Sequence, residues 1–490
     1  MICDQDITLA VPAAAIADIS APSEDTVRLR LHRFRHLNGG DSPRTAATQA
    51  KSTLVAASFC IFLAQLDFFA LNLALPKIAS ELRTSPSSLQ WVISAYMLSL
   101  AAFLVPGGRL GDILGRKRVL ISGVAIFGLG SLGGALAPNA EVLIAFRILQ
   151  GIGSGIIFPL TIAITSNAFP RGKVIRAIGY VYGIGAVAKA LGPPFGGGIT
   201  ELVVWRVVLL VNVPLSVLAI AVVAFGVRES RDPTTPRSVD LPGLALVASG
   251  IAMVTLAVDI ADSWRPVATV GVAVAGLLAL AAFVWREQVA RYALVKLDLF
   301  RNRPYVIMTL MGAVANIALT IGVFTSAIYL QQGENYSPFI SGLILLAASA
   351  ASGVAGPISG RLGEHVDIPS AITATTVLGG IGLFLVSLGG GFASYLPGLA
   401  LFGFGYTVGF SMTNMGTQTV VARDRVGEAS GVNLATVIGI GGIGVAAAGT
   451  LIDVGTQNAE LTRVIERILR WVAASTIFAS GFLLWLHRRS

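Results

Sequence analysis

The chain has 490 residues, of which 54% are hydrophobic and only 12% are charged, and its mean hydropathy is +0.77. A soluble protein of this length cannot bury so much apolar surface, so the composition predicts a protein that crosses the membrane many times. The net charge of +9 does not indicate a nucleic-acid partner, because the basic residues concentrate in loops on one side of the predicted helices.

Several classes of site are not expected. Cys3 and Cys60 lie in the N-terminal tail and in the first apolar run, which excludes a disulfide framework. All four histidines fall in tails or loops, so we expect neither a metal site nor an intramembrane histidine relay. The chain has no ATP-binding P-loop, and no nucleophile, base and orienting group at a spacing typical of enzymes. We therefore predict a protein that is not an enzyme and that needs no cofactor.

Residues 1–50 are predicted to form a polar N-terminal tail. Its apolar patch at 7–19 is preceded by acidic residues and interrupted by Asp18, so it does not fit a signal peptide. The basic stretch at 28–36 is interpreted as a solvated arm, with attraction to anionic lipid headgroups as the alternative.

Fourteen apolar runs follow the tail, and each is close to the ~20 residues that a membrane helix requires. The runs lie at 54–75, 91–108, 119–137, 141–162, 177–199, 205–226, 242–260, 267–285, 305–330, 338–358, 371–390, 394–415, 429–452 and 468–487. With a cytoplasmic N-terminus, 26 of the 35 lysines and arginines fall on cytoplasmic segments, 7 on outer segments and 2 within runs. By the positive-inside rule we expect both termini in the cytoplasm, in a protein of the plasma membrane.

The two halves of the chain repeat one pattern at an offset of 252 residues. The stretch GRLGD at 108–112 recurs as GRLGE at 360–364, and Ser-Pro at 85–86 recurs at 337–338. Such a repeat predicts an all-α membrane protein of fourteen transmembrane helices, in two pseudo-symmetric six-helix bundles with a two-helix insert. The predicted divisions are a cytoplasmic tail at 1–50, an N-terminal bundle at 51–226, a linker with two inserted membrane helices at 227–303, and a C-terminal bundle at 304–490.

The basic loop GGRLGDILGRKRV at 107–119 is the most informative motif. Its glycines, among them Gly108 and Gly115, permit a tight turn, and Asp112 and Arg116 stand four positions apart, where they can pair or cap helix ends. The loop resembles the signature G-x-L-x-D-x-x-G-R-[KR]-[KR] of the major facilitator superfamily, whose members are transporters that work by alternating access. We hypothesise that Asp112 and Arg116 latch the cytoplasmic ends of neighbouring helices in the outward-facing state.

The first apolar run carries one acidic residue, Asp67, deep within the span. An ionisable residue inside the membrane is costly and usually functional. The surrounding stretch, LDFFALNLALP at 66–76, resembles the pattern L-D-x-T-x-x-N-x-A-L-P of the fourteen-helix drug:proton antiporters, except that Phe69 replaces the usual threonine. The resemblance implies that Asp67 couples transport to protons, taking a proton from outside and releasing it inside in exchange with substrate.

Two further motifs lie in the fourth and fifth runs. The stretch RILQGIG at 147–153 resembles the family motif R-x-x-Q-G-x-G, and its Arg147 is permanently charged and needs a partner. The stretch GPPFGG at 192–197 resembles the antiporter motif G-P-x-x-G-G. Its proline and glycines permit a kink and a close helix approach, so we expect it to seal the outer half of the bundle interface. The residues of this antiporter motif are Gly192, Pro193, Gly196 and Gly197.

Lys189, beside this motif, departs from the family pattern. At ~1.5 Å per residue in a core about 30 Å thick, Asp67, Lys189 and Arg147 all lie about 18–21 Å from the cytoplasmic face. We therefore predict an intramembrane charge network that includes Arg147 and Lys189. Three roles stay open for Lys189, which are a counter-ion to Asp67 in one state of the cycle, a substrate-binding group, and a titrating group.

The resemblance to drug:proton antiporters implies proton-driven export of amphipathic, often cationic or lipophilic compounds by a monomer embedded in the lipid bilayer. Small-molecule substrate and protons are the expected partners. Two alternatives stay open, a dedicated exporter of a single metabolite or lipid-like compound, which is anionic if Lys189 binds it, and a non-transporting membrane sensor or scaffold. The side chains expected to line the cavity are Asn72, Tyr96, Gln150, Asn316 and Tyr329.

Overall fold

A computed structural model of the chain describes residues 43–84, 86–170, 173–231, 240–259, 266–290, 297–363, 365–389, 392–421, 426–456 and 460–489. The regular structure of these residues is entirely helical, and no β-strand occurs among them. Cys3 and the basic arm at 28–36 lie outside the described residues.

We number the α-helices of the described residues in chain order. They are α1 Pro43–Leu71, α2 Leu75–Leu82, α3 Pro86–Leu114, α4 Arg116–Ala135, α5 Ala140–Ala168, α6 Val174–Leu202, α7 Arg206–Leu210, α8 Asn212–Gly226, α9 Leu241–Asp259, α10 Pro266–Val289, α11 Arg303–Ile328, α12 Pro338–Gly363, α13 Ile368–Val386, α14 Phe392–Thr419, α15 Val426–Thr456 and α16 Leu461–Arg489. A short 3-10 helix, Asn72–Ala74, joins α1 to α2, and a π-helical turn, Tyr329–Gly333, follows α11. A further 3-10 helix, Leu297–Arg301, precedes α11.

Eleven helical segments within the described ranges are long and apolar enough to cross a membrane, so the chain is a multi-pass membrane protein. Helices α6, α9 and α14, which carry three of the predicted spans, are not among these eleven. The apolar part of α9, Leu241–Ala257, is shorter than the others. In α6, seven glycines, two prolines and Lys189 take the place of strongly apolar side chains and lower its hydropathy.

Four pairs of helices begin at the offset of 252 residues found in the sequence. The paired starts are Pro86 and Pro338 for α3 and α12, Arg116 and Ile368 for α4 and α13, Ala140 and Phe392 for α5 and α14, and Val174 and Val426 for α6 and α15. Helix contacts repeat as well, since Gly151 of α5 abuts the carbonyl oxygen of Tyr96, and Gly403 of α14 abuts that of Ala348. Neither glycine leaves room for a Cβ atom, so the same close helix crossing is built twice.

The helix contacts link two sets of helices. In the first set α5 packs against α3 and α4, and in the second set α14 packs in the same way against α12 and α13. Helix α3 contacts α15, and α6 contacts α12, which joins the first set to the second. Helices α9 and α10 pack against each other, and α9 also touches α3 and α15. A movement of one set against the other must therefore change the α3–α15 and α6–α12 contacts.

Helices α6 and α12 touch at one end and separate towards the other. Near the C-terminal end of α6, Gly197 abuts the backbone of Pro338, and the backbone of Pro193 abuts Gly342. At the opposite end of the pair, the described residues place no atom within 4 Å of a Cβ position on four glycines, Gly179, Gly183, Gly356 and Gly360. The two helices therefore border a cleft that opens towards the end of α3 that carries Asp112.

Candidate functional site

Asp67 of α1 and Arg147 of α5 form an ion pair in the interior of the helices. The distance from Arg147 Nη1 to Asp67 Oδ2 is 2.7 Å, and both side chains have 0% exposure. Arg147 Nε also donates a hydrogen bond of 2.9 Å to the backbone carbonyl of Val92 in α3. The partner that the sequence required for Arg147 is thus a carboxylate together with a backbone oxygen, and the pair ties α1, α3 and α5 together.

Two amide side chains complete the surroundings of the Asp67 carboxylate. Asn212, at the start of α8, donates a hydrogen bond of 2.6 Å to Asp67 Oδ1, and Gln150 donates one of 3.3 Å to the same oxygen. The Gln150 amide also donates to Ser131 Oγ at 2.6 Å, and its oxygen accepts from Arg147 Nη1 at 2.8 Å. A buried ion pair is tolerated when its remaining hydrogen-bonding capacity is satisfied. These contacts supply that for the carboxylate, whereas Arg147 Nη2 is buried without a hydrogen-bond partner among the described residues.

An aromatic side chain covers the guanidinium of the pair. The Arg147 Cζ atom lies 4.2 Å from the centroid of the Tyr96 ring, a distance at which a cation is attracted to the ring face. Tyr96 stacks on Phe68 with ring centroids 5.7 Å apart, and its hydroxyl lies 2.7 Å from Ser154 Oγ. Tyr96 and Gln150 thus belong to the charge site itself.

The charge state of Asp67 and the exposure of Arg147 to solvent depend on each other. Protonation of Asp67 would leave Arg147 as a buried cation without an anionic partner. Removing one member of a buried pair costs about 3–5 kcal/mol, so the protonated site is stable only if Arg147 gains water or another anion.

Lys189 forms no ion pair with Asp67 in this conformation. Its Nζ atom is 5.7 Å from the centroid of the Phe69 ring, and no ion pair joins it to a carboxylate among the described residues. Depth along the helices places Lys189 level with Asp67, but in this conformation the carboxylate is bound to Arg147. The hypothesis of a Lys189–Asp67 pair in another state of the cycle stays a prediction.

The motif predicted as a loop at 107–119 is helical except at Gly115, because α3 continues to Leu114 and α4 begins at Arg116. Contacts inside and outside the motif hold this junction of the two helices. Arg116 Nη2 and Asp112 Oδ1 form an ion pair of 2.8 Å, which joins the end of α3 to the start of α4. Gly115 lies between them with φ = +117°, a backbone conformation that side chains with a Cβ rarely adopt. Gly108 packs against Pro159 of α5. The structure brings the motif residues together and leaves their proposed latching role as a prediction.

Glu229, beyond the end of α8, caps the N-terminus of α4. Its carboxylate accepts hydrogen bonds from the backbone N–H groups of Lys117 and Arg118, at 3.1 and 3.3 Å. The same function in the second half falls to Asp367, which stands 252 positions after Gly115 and accepts from the N–H of Ser370 at 3.1 Å. The second half of the chain therefore caps α13 with the residue that directly precedes it. The first half caps α4 with a carboxylate that is distant in the sequence.

The hydrogen bonds at this second cap act on the acid itself. Hydrogen bonds from the side chain and the backbone N–H of Ser370 hold the pKa of the Asp367 carboxyl below its usual range.

The antiporter motif packs against two helices at once. Gly192 abuts Phe69 and Gly196 abuts the backbone of Ala70, both in α1. On the other side of α6, Gly197 and Pro193 meet α12, as described above. The motif thus lies at the closed end of the α6–α12 contact, away from Asp112. Its role as a seal on the outer side stays a prediction.

The other three side chains expected to line a cavity are buried in helix contacts in this conformation. Asn72 donates to the Phe68 carbonyl at 2.8 Å, and Asn316 donates to the Val437 carbonyl of α15 at 3.0 Å. Tyr329 stacks on Tyr395, with ring centroids 5.8 Å apart. Their exposed fractions are 2%, 7% and 3%, in the order Asn72, Asn316 and Tyr329.

Sequence analysis did not place Asn212 beside the charge pair or Glu229 beside the start of α4. Asn212 could have been found as an amide near the start of an otherwise apolar run, because a buried amide needs a hydrogen-bonding partner. Glu229 had no comparable signal, since an acidic residue in a loop is usually solvated. Glu81 of α2 was missed in the same way, and it pairs with Arg206 and accepts a hydrogen bond from Trp205.

The apolar helices and the buried charge pair between them define a multi-pass membrane protein of the transporter class. The sequence matches the family described as Major Facilitator Superfamily over residues 57–446, and the chain belongs to that family.

Three curated relatives illustrate the similarity. The multidrug resistance protein Stp of Mycobacterium tuberculosis is 30% identical over 387 residues, which cover 78% of this chain and 72% of the relative. The riboflavin transporter RibZ of Clostridioides difficile is 30% identical over 64% of this chain and 68% of its own length. The putative multidrug resistance protein MdtD of Yersinia pestis is 32% identical over 62% of this chain and 65% of its own length.

Solved structures of transporters share the fold at lower sequence similarity. A POT family transporter in complex with 5-aminolevulinic acid superposes with a TM-score of 0.66 at 14% identity, covering 89% of this chain and 96% of that chain. The POT family transporter PepTSo gives a TM-score of 0.64 at 14% identity, covering 92% and 99% of the two chains. At this identity the comparison bears on the fold alone.

Proposed function

We propose that this protein exports amphipathic small molecules by exchanging them for protons, with Asp67 as the proton carrier. The observation that carries the proposal is the fully buried ion pair between Asp67 and Arg147, because protonation of the acid would leave Arg147 buried without an anionic partner. The names of Stp, MdtD and a further relative, the tetracenomycin C resistance and export protein of Streptomyces glaucescens, support export as the direction of transport. The riboflavin transporter among the relatives supports small, partly aromatic substrates.

The proposed cycle follows from the charges of the pair. When Asp67 is ionised, the pair, Asn212 and Gln150 hold α1, α5 and α8 together, and substrate enters the cleft between α6 and α12. When the site opens to the outer side, Asp67 takes a proton and releases Arg147, and substrate leaves. Release of that proton to the cytoplasm re-forms the pair and resets the helices. A proton moving down its gradient then drives substrate uphill.

The experiment uses purified protein in lipid vesicles with an imposed pH gradient and a chemically varied panel of fluorescent amphipaths. We expect uphill transport by the native protein and by Glu460→Gln, which alters a carboxylate at the surface of α16. Asp67→Asn keeps the size and polarity of the side chain but cannot carry a proton, so it should abolish uphill transport. Exchange of labelled for unlabelled compound can persist in this variant. Uphill accumulation by Asp67→Asn would disprove the assignment.

The membrane arrangement forms part of the proposal. Fourteen spans result if α1 and α2, and likewise α7 and α8, each cross the membrane as one kinked helix and if α6, α9 and α14 also cross. The repeat then divides the spans into bundles at 51–226 and 304–490, with α9 and α10 inserted in the linker at 227–303. Both termini lie in the cytoplasm, and the protein is a monomer of the plasma membrane.

This topology is tested with single cysteines in a chain without Cys3 and Cys60. A cysteine replacing Arg118, which is 73% exposed, should resist a membrane-impermeant maleimide added outside intact cells. A cysteine replacing Arg463, which is 77% exposed, should react. The reverse pattern would overturn the proposed orientation.

A further inference from the structure

Lys189 lies on the face of α6 that points away from the exposed side of that helix. Four apolar or aromatic side chains with exposed fractions of 41–54% form one stripe on α6, Tyr180, Ile184, Val187 and Leu191. At about 100° per residue, Lys189 falls on the opposite side of the helix from this stripe. In a membrane helix the apolar exposed stripe faces lipid, so Lys189 points towards the interior.

The neighbours of α6 fix this direction further. Gly185 and Gly192 face α1, and Ala186 and Pro193 face α12. On the helical wheel Lys189 lies between these two directions, and so does Tyr182, two turns earlier. Tyr182 remains 51% exposed although it stands on the inner side, because α6 and α12 have separated at that level. Lys189 therefore stands near the narrow end of the cleft, and Tyr182 lines its wider part.

The two residues that depart from the antiporter pattern lie next to each other, one on α1 and one on α6. Phe69 stands where the family has threonine, Lys189 is the unexpected cation, and the ammonium lies 5.7 Å from the Phe69 ring centroid. Gln65, one turn before Phe69 on α1, places its amide nitrogen 4.0 Å from a Cβ position on Gly185, which is one turn before Lys189. A cation, an amide and an aromatic ring thus converge from two helices.

No anion of the protein satisfies this cation in the described residues. The Asp67 carboxylate is occupied by Arg147, Asn212 and Gln150, and no ion pair reaches Lys189. A charged ammonium without a partner is costly near the middle of the membrane, and this side chain lies within reach of the cleft. The position of Lys189 is explained if its charge pairs with an anion that binds and then leaves.

We propose that Lys189 binds the acidic group of the transported compound, and that the substrates are aromatic amphipaths with a carboxylate or a similar anionic group. The ammonium pairs with the acid, the Gln65 amide donates a second hydrogen bond to it, and the rings of Phe69 and Tyr182 pack against the aromatic part. The proposal rests on the export function above, and it narrows the substrate class from amphipaths in general to acidic ones.

The test compares dansylglycine with its methyl ester, which differ at neutral pH only in the ionised carboxylate. Binding to the purified protein is measured by fluorescence anisotropy, so that the result does not depend on transport. We expect the native protein to bind the acid more tightly than the ester. In Lys189→Met the acid should bind roughly tenfold more weakly or worse, while the ester is unaffected, because only the acid makes the charge-assisted contact.

Two further variants keep the result interpretable. Lys189→Arg retains the cation and should retain most of the preference for the acid. Lys77→Met removes an exposed lysine of α2 and should bind both compounds as the native protein does. Native protein that binds both compounds equally, or binds neither, would overturn the proposal, and so would equal losses for both compounds in Lys189→Met. Failure of the export function appears separately, as absence of uphill flux in vesicles.

Discussion

Arg147 and Asp67 depend on each other for stability, because either charge alone would be buried without a partner. Replacing Arg147 by methionine leaves the Asp67 carboxylate buried without its cation, which should cost about 3–5 kcal/mol and lower the melting temperature in detergent. Adding Asp67→Asn to the same chain removes that uncompensated charge. We therefore expect the double variant to melt at a higher temperature than Arg147→Met alone, while uphill transport stays absent.

The comparison separates stability from coupling. A pair that serves only structure would give back transport together with stability in the double variant. A double variant no more stable than Arg147→Met would show that the cation acts through the Val92 carbonyl and the Tyr96 ring instead of through the carboxylate. Thermal unfolding and vesicle transport on the same preparations distinguish these results.

The sequence located the charges at this site but not their pairing. Depth along a helix follows from counting residues, so Asp67, Arg147 and Lys189 could be placed at one level from the sequence. The direction of a side chain around the helix depends on which helices lie beside it, and a single sequence does not contain that information. Asp67 and Arg147 therefore meet while Lys189 lies against Phe69, and the amide of Asn212 joins the pair from a helix whose neighbours were unknown.

At the level of helices, the capping of α4 and α13 gives a matched pair of changes. Glu229→Ala and Asp367→Ala each remove the carboxylate that caps a helix, and either loss typically costs about 1 kcal/mol. Only Glu229 also joins the Asp112 loop to the segment after α8. We expect both variants to lose similar stability, but only Glu229→Ala to lose transport. Only that change weakens the link between the start of α4 and the segment after α8, where the Arg116 N–H donates to the Ser230 carbonyl. Equal transport in the two variants would remove Glu229 from the conformational machinery.

Low pH provides an independent measurement at the Asp367 cap. The pKa of Asp367 is lowered in the folded protein, so the ionised cap adds stability above the usual pKa of a free aspartate. This contribution is lost as the pH falls through the lowered pKa, when the carboxyl is protonated. In Asp367→Asn the acid branch of the melting-temperature profile should therefore be flatter than in the native protein.

The order of the helices and its repeat in the two halves were the part most open to prediction from the sequence. The offset of 252 residues found in the Gly-Arg-Leu-Gly stretches is the offset at which α3, α4, α5 and α6 are followed by their counterparts. The two halves share residues at the helix crossings because neither Gly151 nor Gly403 leaves room for a Cβ atom. The start of α1 at Pro43 was not predicted, because the residues before the first apolar run are polar and carry no helix signal that periodicity detects.

For the whole molecule, the α6–α12 contact offers a direct measure of alternating access. In this conformation the two helices are closed where Gly197 meets Pro338 and open at the end towards Asp112. Spin labels can report both ends in a chain without Cys3 and Cys60. A control pair at Ile381 of α13 and Phe478 of α16 lies on exposed positions within the second set of helices, where we expect no change.

Labels at Leu202 and Ile340 report the closed end, and labels at Arg176 and Gly360 report the open end. If the two sets of helices move as units, any condition that lengthens the first distance must shorten the second. We expect Asp67→Asn, which imitates the protonated site, to populate a state with a longer Leu202–Ile340 distance and a shorter Arg176–Gly360 distance than the native protein at neutral pH. Pulsed electron resonance in lipid nanodiscs gives both distributions. Distances that change in the same direction, or only at one end, would mean that the helices bend locally and would rule out a rocking movement around the Asp67–Arg147 pair.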